Sequence, residues 1–187
     1  MRRLDESVAA SRKALELDPL SPYLQWRLAY RYRLMRQLDR AIEQCRNTLE
    51  IDHHYYFAHW SIGIIYVQTG RFEEGIRAFE TAAQLSGNSP QALGSLGYAY
   101  AHAGRISDAR KLLAELQELA QKAYVPPVST GLIHLALGEI DRSFDWLEKA
   151  VDERDGAIFT LSAEPICDLL RPHARFQALL RKMNLAP

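Results

Sequence analysis

The sequence predicts an all-α protein: a solenoid of antiparallel helix pairs closed by a C-terminal helical cap. Three observations carry that expectation. First, "GIIYVQTGR" at 63–71 returns as "GYAYAHAGR" at 97–105, displaced by 34 residues, and both copies open on Gly, place Tyr fourth and close on Gly-Arg. A fixed period of this length marks a chain of stacked units, each of which needs its neighbour to bury an apolar face. Second, on a 34-residue ruler starting at Pro22, Tyr56, Pro90 and Tyr124, the eighth position reads Ala29, Gly63, Gly97 and Gly131, and the twentieth Ala41, Gly75, Ala109 and Ser143. With 24 Ala, 10 Gly and 11 Ser among 187 residues, chance does not make all eight small. Small residues on both partners let two helices approach closely. Third, the fifteenth position holds Arg36, Gly70, Gly104 and Gly138. Glycine there suits the left-handed residue that ends many helices.

Larger residues surround the small pair. The seventh position gives Leu28, Ile62, Leu96 and Thr130, the eleventh Tyr32, Tyr66, Tyr100 and His134, and the twenty-fourth Cys45, Phe79, Leu113 and Leu147. Spacings of three and four place them on one stripe of each helix. Each unit is therefore helix, turn, helix, and Arg36 predicts that the first unit turns differently or with slight strain. The pattern resembles the tetratricopeptide repeat family, whose 34-residue unit carries small residues at positions 8 and 20 and large ones at 11 and 24.

Taken in order, residues 3–19 resemble the second helix (about 3–17) of a preceding repeat, ending in that family's Asp18-Pro19 signature. Because this helix lacks its own partner, the chain is expected to be a fragment of a longer protein; a natural N-terminal cap is the alternative. Repeats follow at 22–55, 56–89, 90–123 and 124–155, all within one domain spanning 1–187. The fourth is the most divergent, with Pro126-Pro127 expected inside its first helix and Thr130 at a core site. Residues 156–187 form the cap: an extended-looking stretch, then two short helices broken at Pro172, with Phe176, Leu179, Leu180 and Met183 on one stripe. The segment "DLLRPHARFQALLRKMNL" also resembles the end of repeat arrays at the C-terminus of bacterial multidomain regulators, such as winged-helix transcription factors, Ser/Thr kinases and nucleotide cyclases. That likeness implies a missing N-terminal domain, itself a candidate partner.

Composition narrows the function. Lys+Arg and Asp+Glu both total 23, so no bulk charge draws the chain to nucleic acid or an anionic membrane. No apolar run approaches the ~20 residues that span a bilayer, and "MRRLDESVAA" has no secretory core. Cys45 and Cys167 suggest no disulfide framework, so a reducing, cytoplasmic setting is expected. No phosphate-cradling loop, nucleophile elbow or paired-cysteine metal pattern occurs. His53, His54 and His59 lack metal-ligand spacing; His134 replaces a repeat tyrosine; Cys45 occupies a core position and Cys167 lies in the cap. No enzyme activity, cofactor or metal is predicted.

The resemblance implies a right-handed superhelix lined by the first helices, with ligands met at positions 2, 5, 9, 12 and 13. Those positions here are Tyr23, Trp26, Tyr30, Arg33 and Leu34; Phe57, Trp60, Ile64, Val67 and Gln68; Gln91, Gly94, Tyr98, Ala101 and His102; and Val128, Leu132 and Leu135. Arg27 flanks the aromatic end, and aromatic and Arg side chains dominate interface energetics. The expected function is a non-catalytic protein-interaction module holding a peptide or partner protein. Its expected site residues are Tyr23, Trp26, Arg27, Tyr30, Arg33, Phe57, Trp60, Ile64, Tyr98 and His102. Trp26, Tyr30, Trp60 and Ile64 stand where chaperone-tail clamps of this family carry Lys and Asn, which argues against that ligand. The alternatives are a spacer or self-association module of a regulator and, more remotely, nucleic-acid binding through Arg27, Arg31, Arg33 and Arg36 interleaved with aromatics.

Overall fold

The structure, a computed structural model, describes residues 2–160 and 163–185, without the side chains at 2, 3, 159 and 160. Among the described residues ten α-helices follow in order: α1 (Arg2–Leu17), α2 (Pro22–Leu34), α3 (Leu38–Ile51), α4 (Tyr56–Gln68), α5 (Phe72–Leu85), α6 (Pro90–His102), α7 (Ile106–Ala120), α8 (Pro127–Ala136), α9 (Ile140–Asp152) and α10 (Ala174–Lys182). Two 3-10 helices, Gly156–Thr160 and Pro165–Leu170, lie between α9 and α10. Among the described residues there is no strand. The chain forms two compact units, 1–87 and 88–187.

In the first unit α2 pairs with α3 and α4 with α5, while α1 lies on α2. The small positions do the work that the period implies. A Cβ on Gly63 would sit 2.9 Å from the Phe79 ring, and one on Gly75 would sit 2.7 Å from a Val67 methyl. Val8, Leu28, Tyr32, Ala41 and Ile65 form one buried cluster, and Ala29, Cys45, Ala58 and Ile62 another. On α1 the Arg12 guanidinium donates to the Tyr32 hydroxyl at 2.8 and 3.1 Å, tying the half-repeat to a core tyrosine of repeat 1.

In the second unit α6 pairs with α7 and α8 with α9, α6 packs on α8, and α10 lies on α9. A Cβ on Gly97 would come within 2.5 Å of Ile133, and Ser143 Oγ donates to the Gly131 carbonyl at 3.0 Å. Two differences from the sequence reading appear here. Pro126-Pro127 does not interrupt α8: Pro127 is its first residue, where a missing N–H costs nothing, so the helix is shortened. Its cap comes from far along the chain, the buried Asp155 carboxylate accepting from Val128 N at 3.3 Å and from Ala157 N at 2.9 Å. The stretch after Asp155 is a 3-10 helix over Gly156–Thr160 and not extended; residues 161 and 162 lie outside the described residues.

All four turns inside the repeats share one hydrogen-bond pattern. Gln37, Arg71, Arg105 and Glu139 donate N–H to the carbonyls of Tyr32, Tyr66, Tyr100 and His134 at 2.8–2.9 Å. Gly70, Gly104 and Gly138 have φ of 74–77°, and Arg36 adopts φ 60° in the same place. Arg36 thus keeps the turn and takes the left-handed strain, at about 1–2 kcal/mol for an L-residue. The eleventh and sixteenth positions also pair through side chains. The guanidinium carbons of Arg71 and Arg105 lie 4.2 and 4.3 Å from the Tyr66 and Tyr100 ring centres. In repeat 4 the pair becomes a polar contact: His134 Nδ1 lies 2.6 Å from Glu139 Oε2, and Arg110 donates to Oε1 at 2.7 Å.

Candidate functional site

The candidate site in the first unit grows from the start of α2. Ser21 Oγ accepts from Leu24 N and Pro22 opens the helix, which fixes the register of Tyr23, Trp26 and Tyr30 at spacings of three and four. One face of α2 therefore carries all three rings. Trp26 is the centre: its ring stacks on Phe57 of α4 at 4.6 Å and 24° and lies 6.1 Å from Tyr23, 6.0 Å from Tyr30 and 6.4 Å from Tyr55. Aromatic pairs at these separations add about 0.5–1.5 kcal/mol each beyond area burial. Trp26 Nε1 donates to the buried Ser61 Oγ at 2.9 Å, near the buried Cys45 thiol. The indole is thus fixed by stacking on one side and by a hydrogen bond inside the core.

Charge gathers on the same helix. The Arg27 guanidinium lies 5.9 and 6.0 Å from the rings of Tyr23 and Trp26, within cation–π range. Arg31 turns away: its Nη1 donates to the Arg27 carbonyl at 2.8 Å and its Nε to Ser7 Oγ of α1. Burial, then the Arg27 charge, lower the Arg31 pKa. Arg33 is fully buried, its guanidinium 5.0 Å from the Tyr30 ring. The arginines of α2 therefore point to separate surroundings and make no continuous basic strip.

The expected site residues have different environments. Tyr23 is 54% exposed, Trp26, Arg27, Tyr30, Phe57 and Trp60 are half-buried, and Arg33 and Ile64 are buried. Tyr98 and His102 belong to the second unit, where their rings meet edge to face at 4.4 Å. Tyr98 is buried and its pKa raised, first by desolvation and then by the nearness of Cys167. Burial lowers the pKa of His102. The first-helix residues Val128 and Leu135 join a core cluster that includes Phe144 and Leu147 of α9 and Ile158, Cys167 and Leu170 of the chain's own C-terminal segment.

Three residues of the first-unit site escaped the position rule: Tyr55, Tyr56 and Ser61. Tyr55 and Tyr56 pack on Phe57 at 6.0 and 3.9 Å, and desolvation raises both their pKa values. The signal was the unbroken run Tyr55-Tyr56-Phe57, which straddles a repeat boundary. For other chemistry, burial pushes the thiols of Cys45 and Cys167 up to about 12, which leaves both protonated and weakly nucleophilic. His53 and His54 are exposed, and His59 Nε2 lies 3.0 Å from the His53 carbonyl. Among the described residues no group of three His, Cys, Asp or Glu comes together as a metal site.

The tetratricopeptide repeat family model matches residues 66–125. A search of curated proteins returns no match. Solved structures similar to the chain include one from the APC/C hetero-tetramer Cut9–Hcn1, at TM-score 0.62 and 15% identity over 97% of this chain and 36% of that one. The chain thus spans only about a third of that relative. YrrB, described as a TPR protein with an unusual peptide-binding site, aligns at TM-score 0.55 and 18% identity over 92% of this chain and 90% of its own. A tetratricopeptide repeat protein from Parabacteroides merdae ATCC 43184 aligns at 0.56 and 16% over 98% and 74%.

Proposed function

Because the tetratricopeptide repeat family model matches residues 66–125 and solved repeat proteins share the fold, we propose that the chain is a non-catalytic interaction module whose first-helix face around Trp26 holds a peptide or a partner protein. Its repeats are scaffolds for protein–protein interaction, and the similarity to a peptide-binding relative supports the reading. The observation that carries it is the fixed, half-buried indole of Trp26, stacked on Phe57, bonded to Ser61 and edged by the exposed Tyr23 and by Arg27. Side chains held in place before binding lose little entropy on complex formation, and aromatic and Arg groups are the usual anchors. No helix among the described residues is long and apolar enough to cross a membrane.

The test is capture from source-organism lysate by wild type and by Tyr23→Ala/Arg27→Glu, after circular dichroism has shown the variant folded. Both changes lie at the exposed edge of the cluster, so the core is spared. A protein retained by wild type and lost with the variant supports the reading; equal capture by both refutes it. Light scattering separates a foreign partner from a second copy, since self-association makes the mass rise with concentration.

A further inference from the structure

The second unit holds a ligand-like segment of its own. Positions 5 and 12 of repeat 4, Val128 and Leu135, belong to the face assigned to ligands, yet they sit in one apolar cluster with Ile158, Cys167 and Leu170. Cys167 also lies close enough to Tyr98, at position 9 of repeat 3, to act on its titration. The first helix α8 therefore shares its apolar cluster with residues 163–171, "AEPICDLLR", and the buried Tyr98 of α6 lies near the same segment. The segment is a short 3-10 helix, Pro165–Leu170, opened by Pro165; Ile166, Cys167 and Leu170 face inward, and Leu169 is 68% exposed.

Its attachment contrasts with that of the helix after it. The α10 helix is clamped to α9: Arg175 reaches Asp145 at 2.8 Å and Glu148 at 2.9 Å, Lys182 pairs with Asp152, and Phe176 is fully buried. Segment 163–171 has short i→i+3 bonds such as Cys167 N to the Glu164 carbonyl, a local Arg171–Asp168 pair, and three apolar side chains. Upstream, Asp155 is held at the α8 cap; downstream, Gln177 Nε2 of α10 donates to the Arg171 carbonyl at 3.1 Å. It is a strap between two fastened points that meets the first-helix face through apolar side chains.

We propose that residues 163–171 are a cis occupant of the α6–α8 first-helix face, and that the partner this face fits is a linear peptide of the same chemistry. That chemistry is a proline-led 3-10 helix of about two turns with two or three inward apolar side chains and nearby carboxylates, as supplied here by Glu164 and Asp168. Such a peptide binds when the strap lifts while α10 stays docked. The proposal rests on reading the first-helix faces as ligand faces, but it concerns the second unit only, so its failure leaves the Trp26 reading standing.

Cys167 reports the strap, because its 2% exposure must rise when the strap lifts. Full-length protein is pulsed with N-ethylmaleimide, and modification of Cys45 and Cys167 is followed separately by peptide mass spectrometry. Local opening predicts that Cys167 reacts at least about tenfold faster than Cys45, at a rate nearly flat in low urea. An excess of synthetic peptide 163–171, with Ser in place of its cysteine, then speeds Cys167 labelling by capturing the open face. A scrambled peptide does not. Equal rates at both thiols, rising together with urea, overturn the strap. A fast Cys167 that ignores the peptide, or answers the scrambled one equally, overturns the ligand assignment.

Discussion

The first-helix faces of the two units are built from the same repeat and finished in opposite ways. In the first unit the face is filled with rings: Tyr23, Trp26, Tyr30 and Phe57 lie around one stacked pair, and Tyr23 remains 54% exposed. In the second, α6 carries Gly94 and Gly97, where an added Cβ would come within 2.7 Å of Ser129 and 2.5 Å of Ile133. The helices there approach closely, Tyr98 is 7% exposed, and the chain's own C-terminal segment joins the core. The repeat thus fixes where a face lies, while the side chains on it decide whether it is presented or covered.

The sharpest way to break the contrast is to uncover the second face. Phe176→Ala removes a fully buried ring from the cap cluster and is expected to cost about 3–5 kcal/mol in urea unfolding. A loss below about 1 kcal/mol would show that this cluster does not close the unit. In the first unit Ser61→Ala strands the indole N–H of Trp26 and should cost about 1–3 kcal/mol, whereas Ser61→Ala with Trp26→Phe should cost less than the sum of the two singles. Additive effects would mean that Ser61 does not hold the ring.

Much of this was legible in the chain. Ala29 with Ala41, Gly63 with Gly75, Gly97 with Ala109 and Gly131 with Ser143 give the helix pairs, because close approach leaves no room for alternatives. The C-terminal segment was not legible: "GAIFTLS" has β-branched and aromatic residues that read as extended, and the Asp155 cap on α8 comes from a residue 27 positions away. Nor could a position rule show that Arg33 is buried while Arg27 lies against two rings, since register gives direction and not depth. Tyr55 and Ser61 join the site only because α4 packs beside α2, a tertiary fact.

Two smaller effects sharpen the account of the turns. Arg36→Gly relieves the φ 60° strain and should raise stability by about 1 kcal/mol; a loss instead would mean that the arginine's side chain outweighs its backbone. Glu139 is held down at about 2: partial burial opposes this, but hydrogen bonds from Arg110 and His134 prevail. A depressed carboxylate stabilises the fold above its ordinary value of 4.5, and that contribution fades as pH falls from there toward 2. Glu139→Gln should therefore flatten the pH dependence of the urea midpoint between those limits and lower stability at pH 7. An unchanged profile would remove Glu139 from the clasp.

The most direct test of the central claim places a photo-crosslinking benzoylphenylalanine at Tyr23, beside Trp26, and separately at Ile106, an exposed position on α7 that is 42% accessible. Purified protein is irradiated in source-organism lysate and the adducts are identified by mass spectrometry. A discrete protein adduct from position 23, absent from position 106, is the predicted result. Adducts from position 106 alone, or the same adducts from both positions, would contradict the assignment of the Trp26 face as the binding surface.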